Sequence, residues 1–435
     1  MQPNELVGTM RSRHDRILDL AERRLSLGVE LGVIQRRIED ETLDGALITI
    51  GGRQMVNFSS CAYLALNRSD RLKKAAIDAV QRYGTNYSSS PTYTALPFYD
   101  ILEDRLRRIT GGEVAIAQTT TLAHIAALPT MVGPEDLVFI DAQTHDSVHL
   151  ATQNLKGAGV RVVTVPHNDV AALEQRLTES AVDYNHVWYL ADGVYSMHGD
   201  LAPVKQVAAL QDRFHNLFTY YDDAHGFGWQ GENGRGYVLS EVPLNERMVM
   251  AAGFAKSFGS VGAVLAFGDP AIARRVRLVG GPLTFSGPIP PPDLGAATES
   301  AAFHLEPAHA TRQARFLADI DWVRSEFVRR QLPVVSLATS PIWFIRVGSP
   351  ERVAEMILRL MADGYYLNAA AFPAVPLGEG GIRFAQTLHN TREQITGLLD
   401  AIEHHLPQVT SEPDIVVDLR DDADVLVAGT EPDTP

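Results

Sequence analysis

Two short stretches carry residues whose types and spacing can do chemistry. The first, YYDDAHGFG, sets Asp222, Asp223 and His225 at the end of the aromatic and apolar run LFTYY. A strand that ends in charge needs something there to meet it. An aspartate with a histidine three residues later suits a metal pair, a general acid–base pair or a clamp on a cofactor. The second stretch, AAGFAKSFGSVGA, leaves Lys256 alone among small and apolar residues. A lysine so placed is costly to bury unless it is neutral or covalently used, and lysines in such surroundings form Schiff bases.

The chain between Asp222 and Lys256 has room for one intervening strand, which lets both side chains line one pocket at neighbouring strand ends. A carboxylate and a Schiff-base lysine together are what pyridoxal phosphate requires, because the carboxylate keeps the pyridine nitrogen protonated and the ring can then store the electrons of a carbanion. The elements around these residues are of the kind that would hold them. Helical stretches such as YDILEDRLRRIT alternate with the short apolar runs DLVFID, RVVTV, HVWYLAD, NLFTYYD and AVLAFG. That alternation indicates a mostly parallel sheet sandwiched by helices, and such sheets bind ligands at the carboxyl ends of their strands.

Before this region, apolar positions at helical spacing predict an amphipathic helix over residues 11–41, and GALITIGGRQMVNF reads as a hairpin turning at Gly51-Gly52. After the turn-rich SGPIPPP come a long helical stretch and a smaller α/β pattern. The divisions expected are an arm over 1–56, a large domain over 57–292, a small domain over 293–406 and an acidic, mobile tail over 407–435. The net charge of −15 argues against a nucleic-acid partner, and no stretch approaches the ~20 apolar residues that span a bilayer. The single cysteine, Cys61, forms no internal disulfide and the N-terminus lacks the apolar core of a secretion signal, so a reducing cytoplasm is expected.

With these residues in view, positions from about 50 to 400 resemble the α-oxoamine synthase family of fold-type I, aspartate aminotransferase-like pyridoxal-phosphate enzymes. The resemblance is carried in order by NFSSCAYLAL, IDAQTHDS, HND, GVYSMHGDLAPV, DDAHGFGWQGENGRG, Lys256 and FPAVPLGEGGIRF. It implies an α/β fold with a large, mostly parallel sheet domain and a smaller domain, and a homodimer with shared sites. The implied roles are Asp222 on the pyridine nitrogen, His225 on the phenolic oxygen and His145 stacked on the ring. Ser196 would lie beside the cofactor, Lys256 would be the Schiff-base lysine and proton carrier, and Arg383 would hold the amino-acid carboxylate. The segment LTFSGPIPPP looks like the one that reaches a neighbouring site, with Ser286 on its phosphate.

The resemblance implies decarboxylating condensation of an α-amino acid with an acyl thioester, and no metal. An aminotransferase, or a β- or γ-replacement enzyme, uses the same cofactor. A non-catalytic binding subunit is the alternative outside enzymes, and Lys256 speaks against it. Plainer readings exist for each residue: Asp222-Asp223 as a solvated pair, His145 and His225 as loop histidines, Ser196 as a helix cap, Arg383 as an ion-pair member. Cys61 stands where the family often has asparagine and reads as a small buried side chain.

The departures fall around the cofactor phosphate and the substrate entrance. A glycine cradle is replaced by AQTTTLAHIAAL, where Thr119, Thr120 and Thr121 offer hydroxyls at a helix start. Gly253 replaces a threonine, His198 an aspartate and Tyr99 a histidine, and YGTNYSSSPTYTALP replaces a segment containing glycine and arginine.

Overall fold

A computed structural model of the chain describes residues 13–371, 374–376 and 378–411. The N-terminal helix is Arg13–Glu30 and stops well short of residue 41. Leu31 N–H still bonds back to Leu27, but Gly32 then takes φ +69 and ends the helical path. Strands β1 (Leu47–Ile50) and β2 (Arg53–Asn57) form the expected antiparallel hairpin. Gly51 and Gly52 both hold positive φ at its turn, which two-residue hairpins demand.

The large sheet contains seven strands: β3 (Glu113–Ala117), β4 (Leu137–Asp141), β5 (Arg161–Val165), β6 (Val187–Asp192), β7 (Leu217–Asp222), β8 (Met248–Gly253) and β9 (Ala263–Phe267). Their spatial order is β3-β9-β8-β7-β6-β4-β5. β9 runs antiparallel to both neighbours while the β8-β7-β6-β4-β5 pairs are parallel. Strands β4, β6, β8 and β9 are buried along their whole length, which accounts for their continuous apolar runs: helices cover both faces. β7 and β8 are direct neighbours, and β8 is the one strand that lies between Asp222 and Lys256 in sequence, reached through the short helix Tyr237–Glu241, so the two residues follow neighbouring strand ends as expected.

The helix Pro291–His304 runs across the expected 292/293 division, because prolines fit the first helical positions, where the N–H has no helical partner anyway. The long helix Pro307–Arg330 follows. β10 (Ile342–Gly348), β12 (Asn368–Ala370) and β13 (Gly380–Ala385) form an antiparallel sheet in the order β10-β13-β12. β11 (Tyr365–Tyr366) leaves that sheet and pairs in parallel with β2, so the arm and the C-terminal part of the chain share a three-stranded sheet. The last helix continues to Ser411, past the tail boundary expected at 407, and residues 412–435 lie outside the described residues. Phe372, Pro373 and Leu377 of FPAVPLGEGGIRF also lie outside them. Among the described residues no helix is long and apolar enough to cross a membrane.

Candidate active site

The carboxyl ends of β6, β7 and β8 converge. Asp222 is the last residue of β7, and register places it opposite Asp192 of β6 and Ala251 of β8. Ala224 N–H donates to Asp222 Oδ1 at 3.0 Å, and His124 Nε2 lies 3.0 Å from Oδ2. The other nitrogen of His124 lies 2.7 Å from the Tyr220 hydroxyl, so Tyr220, His124 and Asp222 form one buried chain of hydrogen bonds. Burial disfavours the ionised Asp222, but the hydrogen bond and charge of His124, joined by the charge of Lys256, hold its carboxyl well below the usual range. Asp192 moves the other way: burial, then the charge of Asp222, raises it well above the usual range, which favours its protonated form.

Lys256 follows β8 by three residues and is only part-buried. Its charge bears on Asp222, Asp192, His145 and His225, so the ammonium lies within electrostatic reach of all four.

His145 is fixed by its position ahead of the helix Asp146–Gly157. Its Nδ1 accepts from Ser147 N–H at 3.2 Å and lies 2.7 Å from Ser147 Oγ. An Nδ1 that accepts a backbone N–H carries no proton, so the neutral ring bears its proton on Nε2. Burial lowers the basicity of His145, and the ring is nonetheless exposed to the cleft. Its backbone N–H donates to Asp192 Oδ1 at 3.0 Å, which ties the end of β6 to this helix. His225 is buried and its Nδ1 lies 2.7 Å from the Tyr63 hydroxyl. Burial, then the charges of Lys256 and Arg383, keep His225 neutral.

Arg383 stands on β13, in the sheet of the C-terminal part of the chain, and is buried. Its Nε donates to the Ser196 carbonyl at 2.7 Å, and Nη2 lies 3.8 Å from Cys61 Sγ. Ser196 therefore meets Arg383 through its backbone rather than capping a helix. Cys61 is half-buried rather than enclosed, with the guanidinium of Arg383 against its sulfur.

Thr119 caps the helix Thr120–Met131 by accepting from Leu122 N–H at 3.2 Å, so Thr120 and Thr121 form its first turn. A β-carbon at Gly253 would lie 3.1 Å from Thr120 Cγ2. The threonine missing at 253 and the threonine present at 120 thus occupy the same space. Ser286 Oγ lies 3.5 Å from Gln118 Oε1, beside this helix start. Tyr99 is buried, and its hydroxyl accepts from Ile289 N–H at 3.1 Å, which makes it a brace for the 283–292 segment.

The second aspartate of the opening motif does structural work. Asp223 is fully buried, accepts from Val238 N–H at 3.0 Å, and burial raises its carboxyl well above the usual range. A β-carbon at Gly193, Gly226 or Gly236 would come within 2.4 Å of its carboxylate oxygens, so these glycines exist to admit the carboxyl.

Three residues that complete the site, His124, Asp192 and Tyr63, escaped the sequence reading. Asp192 carried a signal, since HVWYLAD ends in aspartate as LFTYYD does. His124 was visible only as one polar residue within the apolar helix LAHIAAL.

This fold and this site define a class. The family model Aminotransferase class I and II matches residues 53–402. Within that class the chain belongs to the α-oxoamine synthase family. It is 30% identical over 393 residues to 8-amino-7-oxononanoate synthase of Treponema denticola, covering 89% of this chain and 96% of the relative. It is 30% identical over 364 residues to serine palmitoyltransferase of Bacteriovorax stolpii, covering 83% and 84%. Among solved structures, serine palmitoyltransferase from S. paucimobilis with a bound PLP–myriocin aldimine has a TM-score of 0.83 at 24% identity, covering 92% of this chain and 100% of that one, a likeness of fold.

Proposed function

We propose that the chain is a pyridoxal 5'-phosphate-dependent acyltransferase that joins an α-amino acid to an acyl thioester, on coenzyme A or a carrier protein, and gives an α-aminoketone. The observation that carries the reading is the placement of Asp222 at the carboxyl end of β7 and of Lys256 three residues beyond the carboxyl end of the neighbouring β8, within electrostatic reach of each other and of the exposed His145. A carbon–carbon bond forms between the α-carbon and the acyl carbon, and the carbon–sulfur bond breaks. The sulfur leaves as a free thiol and the amino-acid carboxyl leaves as carbon dioxide. The bound cofactor supplies an electron sink for negative charge at the α-carbon.

The residues present suit that cofactor. Asp222, ionised and buried, would keep the pyridine nitrogen protonated, while His124 holds the carboxylate in place. His145 would stack on the ring. With Tyr63 donating to Nδ1, His225 keeps Nε2–H for the phenolic oxygen. The first-turn N–H groups of Thr120 and Thr121 have no helical acceptor and suit the phosphate, as does the Thr121 hydroxyl.

Lys256 would hold the cofactor through Nζ, and its amine would be the group that takes and returns the proton at the α-carbon of the amino acid. Arg383 offers a planar fork to the amino-acid carboxylate, beside Ser196. The reading takes 57–292 as the cofactor domain and 293–406 as the domain that brings Arg383. The assembly is a cytoplasmic homodimer without nucleic-acid or membrane partners, in which Ser286, next to the exposed Phe285, serves the neighbouring phosphate.

The test is borohydride reduction of the purified protein, followed by peptide mass spectrometry and assay of a panel of amino acids with acyl thioesters. The cofactor should be fixed on the Lys256 peptide and absent from Lys256→Ala, and one pair of substrates should release both carbon dioxide and thiol. Turnover without either product would make the protein an aminotransferase or a replacement enzyme. A wild type that takes up no cofactor would return it to the binding subunits.

A further inference from the structure

A cavity of about 1110 Å³ opens beside His145 and Ser196 and extends between the N-terminal helix and the C-terminal part of the chain. Its volume exceeds the ~300–1000 Å³ usual for small-ligand sites, so it has room for much more than an amino acid. One wall is Leu25, Leu27 and Leu31, from the N-terminal helix and the turn after it; the facing wall includes Val353, Ala354 and Val375. These three leucines are among the exposed large apolar side chains of the protein, and the exposure is explained if something apolar lies against them.

The charged residues of the lining are as telling as the apolar ones. Asp146, Glu351 and Glu379 line it, and no lysine or arginine does among the described residues. Three histidines at its inner end, His145, His149 and His198, are each made less basic by burial, so they add no fixed positive charge near neutral pH. His167 is the exception: burial opposes its charge, but Asp141 and Asp200 hold it protonated, and both of its nitrogens are spent on those two carboxylates. An acyl chain that ends in a carboxylate would enter a cavity with acidic residues in its lining and, among the described residues, no lysine or arginine there to receive it; Arg346, outside the lining, is already paired with Glu379 at 3.3 Å. Burying such a charge unpaired is costly.

We infer that this cavity binds the acyl chain of the thioester substrate and selects an uncharged aliphatic chain of medium or greater length over short chains and over chains ending in a carboxylate. The inference rests on the acyltransferase reading above and adds the character of the acyl group to it. Ser196 links the two parts of the site: it lines the cavity and its carbonyl accepts from Arg383, so a chain in the cavity would start beside the guanidinium proposed to hold the amino acid.

The test is calorimetric titration of the pyridoxal-phosphate-loaded protein with acetyl-, hexanoyl-, decanoyl- and palmitoyl-CoA, and with octanoyl-CoA against its dicarboxylic counterpart suberoyl-CoA. Affinity should rise by up to about fourfold for each methylene buried, and suberoyl-CoA should bind at least about tenfold more weakly than octanoyl-CoA. Ala374→Trp, at an exposed position of the lining where folding is not at stake, should weaken decanoyl-CoA more than acetyl-CoA. Glu379→Lys should narrow the gap between suberoyl- and octanoyl-CoA.

Affinity independent of chain length, or equal for the two eight-carbon chains, would overturn the inference. Release of carbon dioxide and thiol alongside such flat binding removes the cavity assignment and keeps the acyltransferase reading. Steep binding without release of either product does the reverse.

Discussion

Asp192 and Asp222 stand opposite each other on paired parallel strands, both buried, with their acidities driven in opposite directions. Two adjacent carboxyls cannot both ionise cheaply. His124 and Lys256 decide the matter in favour of charge on Asp222, and the proton stays on Asp192. Asp192→Asn imitates the protonated acid and keeps the oxygen that accepts from His145 N–H. It should retain cofactor and cost less than about 1 kcal/mol in denaturant unfolding. If Asp222 serves the cofactor nitrogen as proposed, Asp222→Asn removes the charge that keeps it protonated and should lower kcat by about a hundredfold or more. Equal losses in the two variants would refute this division of labour.

Gly253 and Thr120 should behave as a coupled pair. Gly253→Thr alone forces side-chain atoms against Thr120 Cγ2 and should destabilise by about 1–3 kcal/mol, the scale of overpacking. Combined with Thr120→Ala, the penalty should shrink, giving a coupling energy of about 0.5 kcal/mol or more in a double-mutant cycle. Additive effects would mean that the two positions do not share space.

His167 gives a pH-dependent contribution to stability. Burial opposes its charge, but hydrogen bonds to Asp141 and Asp200 at 2.8 and 2.7 Å outweigh this and raise it from 6.5 to about 9. A raised histidine stabilises fully below its unfolded value and loses that contribution as pH climbs through the folded one. With 21% of the side chain exposed, the contribution is on the order of 1–2 kcal/mol after solvent screening. Urea midpoints of wild type and His167→Gln should therefore differ at about pH 6 and approach each other by about pH 9.5. A constant gap across that window would rule the clamp out.

Arg383→Lys keeps the positive charge but loses the Nε donor that Ser196 receives, and with it the planar fork. The expected outcome is a KM for the amino acid raised about tenfold to a hundredfold, with a smaller change in kcat. An unchanged KM would place the amino-acid carboxylate elsewhere.

Strands β6 and β7 were legible because each is buried almost throughout and reads as a largely apolar run that stops at an aspartate. Asp222, Lys256 and the hairpin at Gly51-Gly52 came from such local signals. What escaped depends on contacts between distant segments. His124 meets Asp222 across 98 positions, and the Tyr63–His225 pair spans 162. The N-terminal helix was drawn too long because the apolar spacing continues past Glu30 while the backbone at Gly32 does not. Gly253 looked like a lost contact in sequence, and only its proximity to Thr120 in space gives it a reason.

The pairing of β2 with β11 also bears on how the molecule is made. Val56 finds its parallel partner at Tyr365, so on the ribosome the finished hairpin must wait for roughly 300 more residues, about 15–60 s of synthesis. A two-stranded hairpin is marginal by itself, and until then its free edge is open to wrong partners. The open edge of β2 thus persists while every strand of the large sheet is synthesised, and only the arrival of β11 closes it.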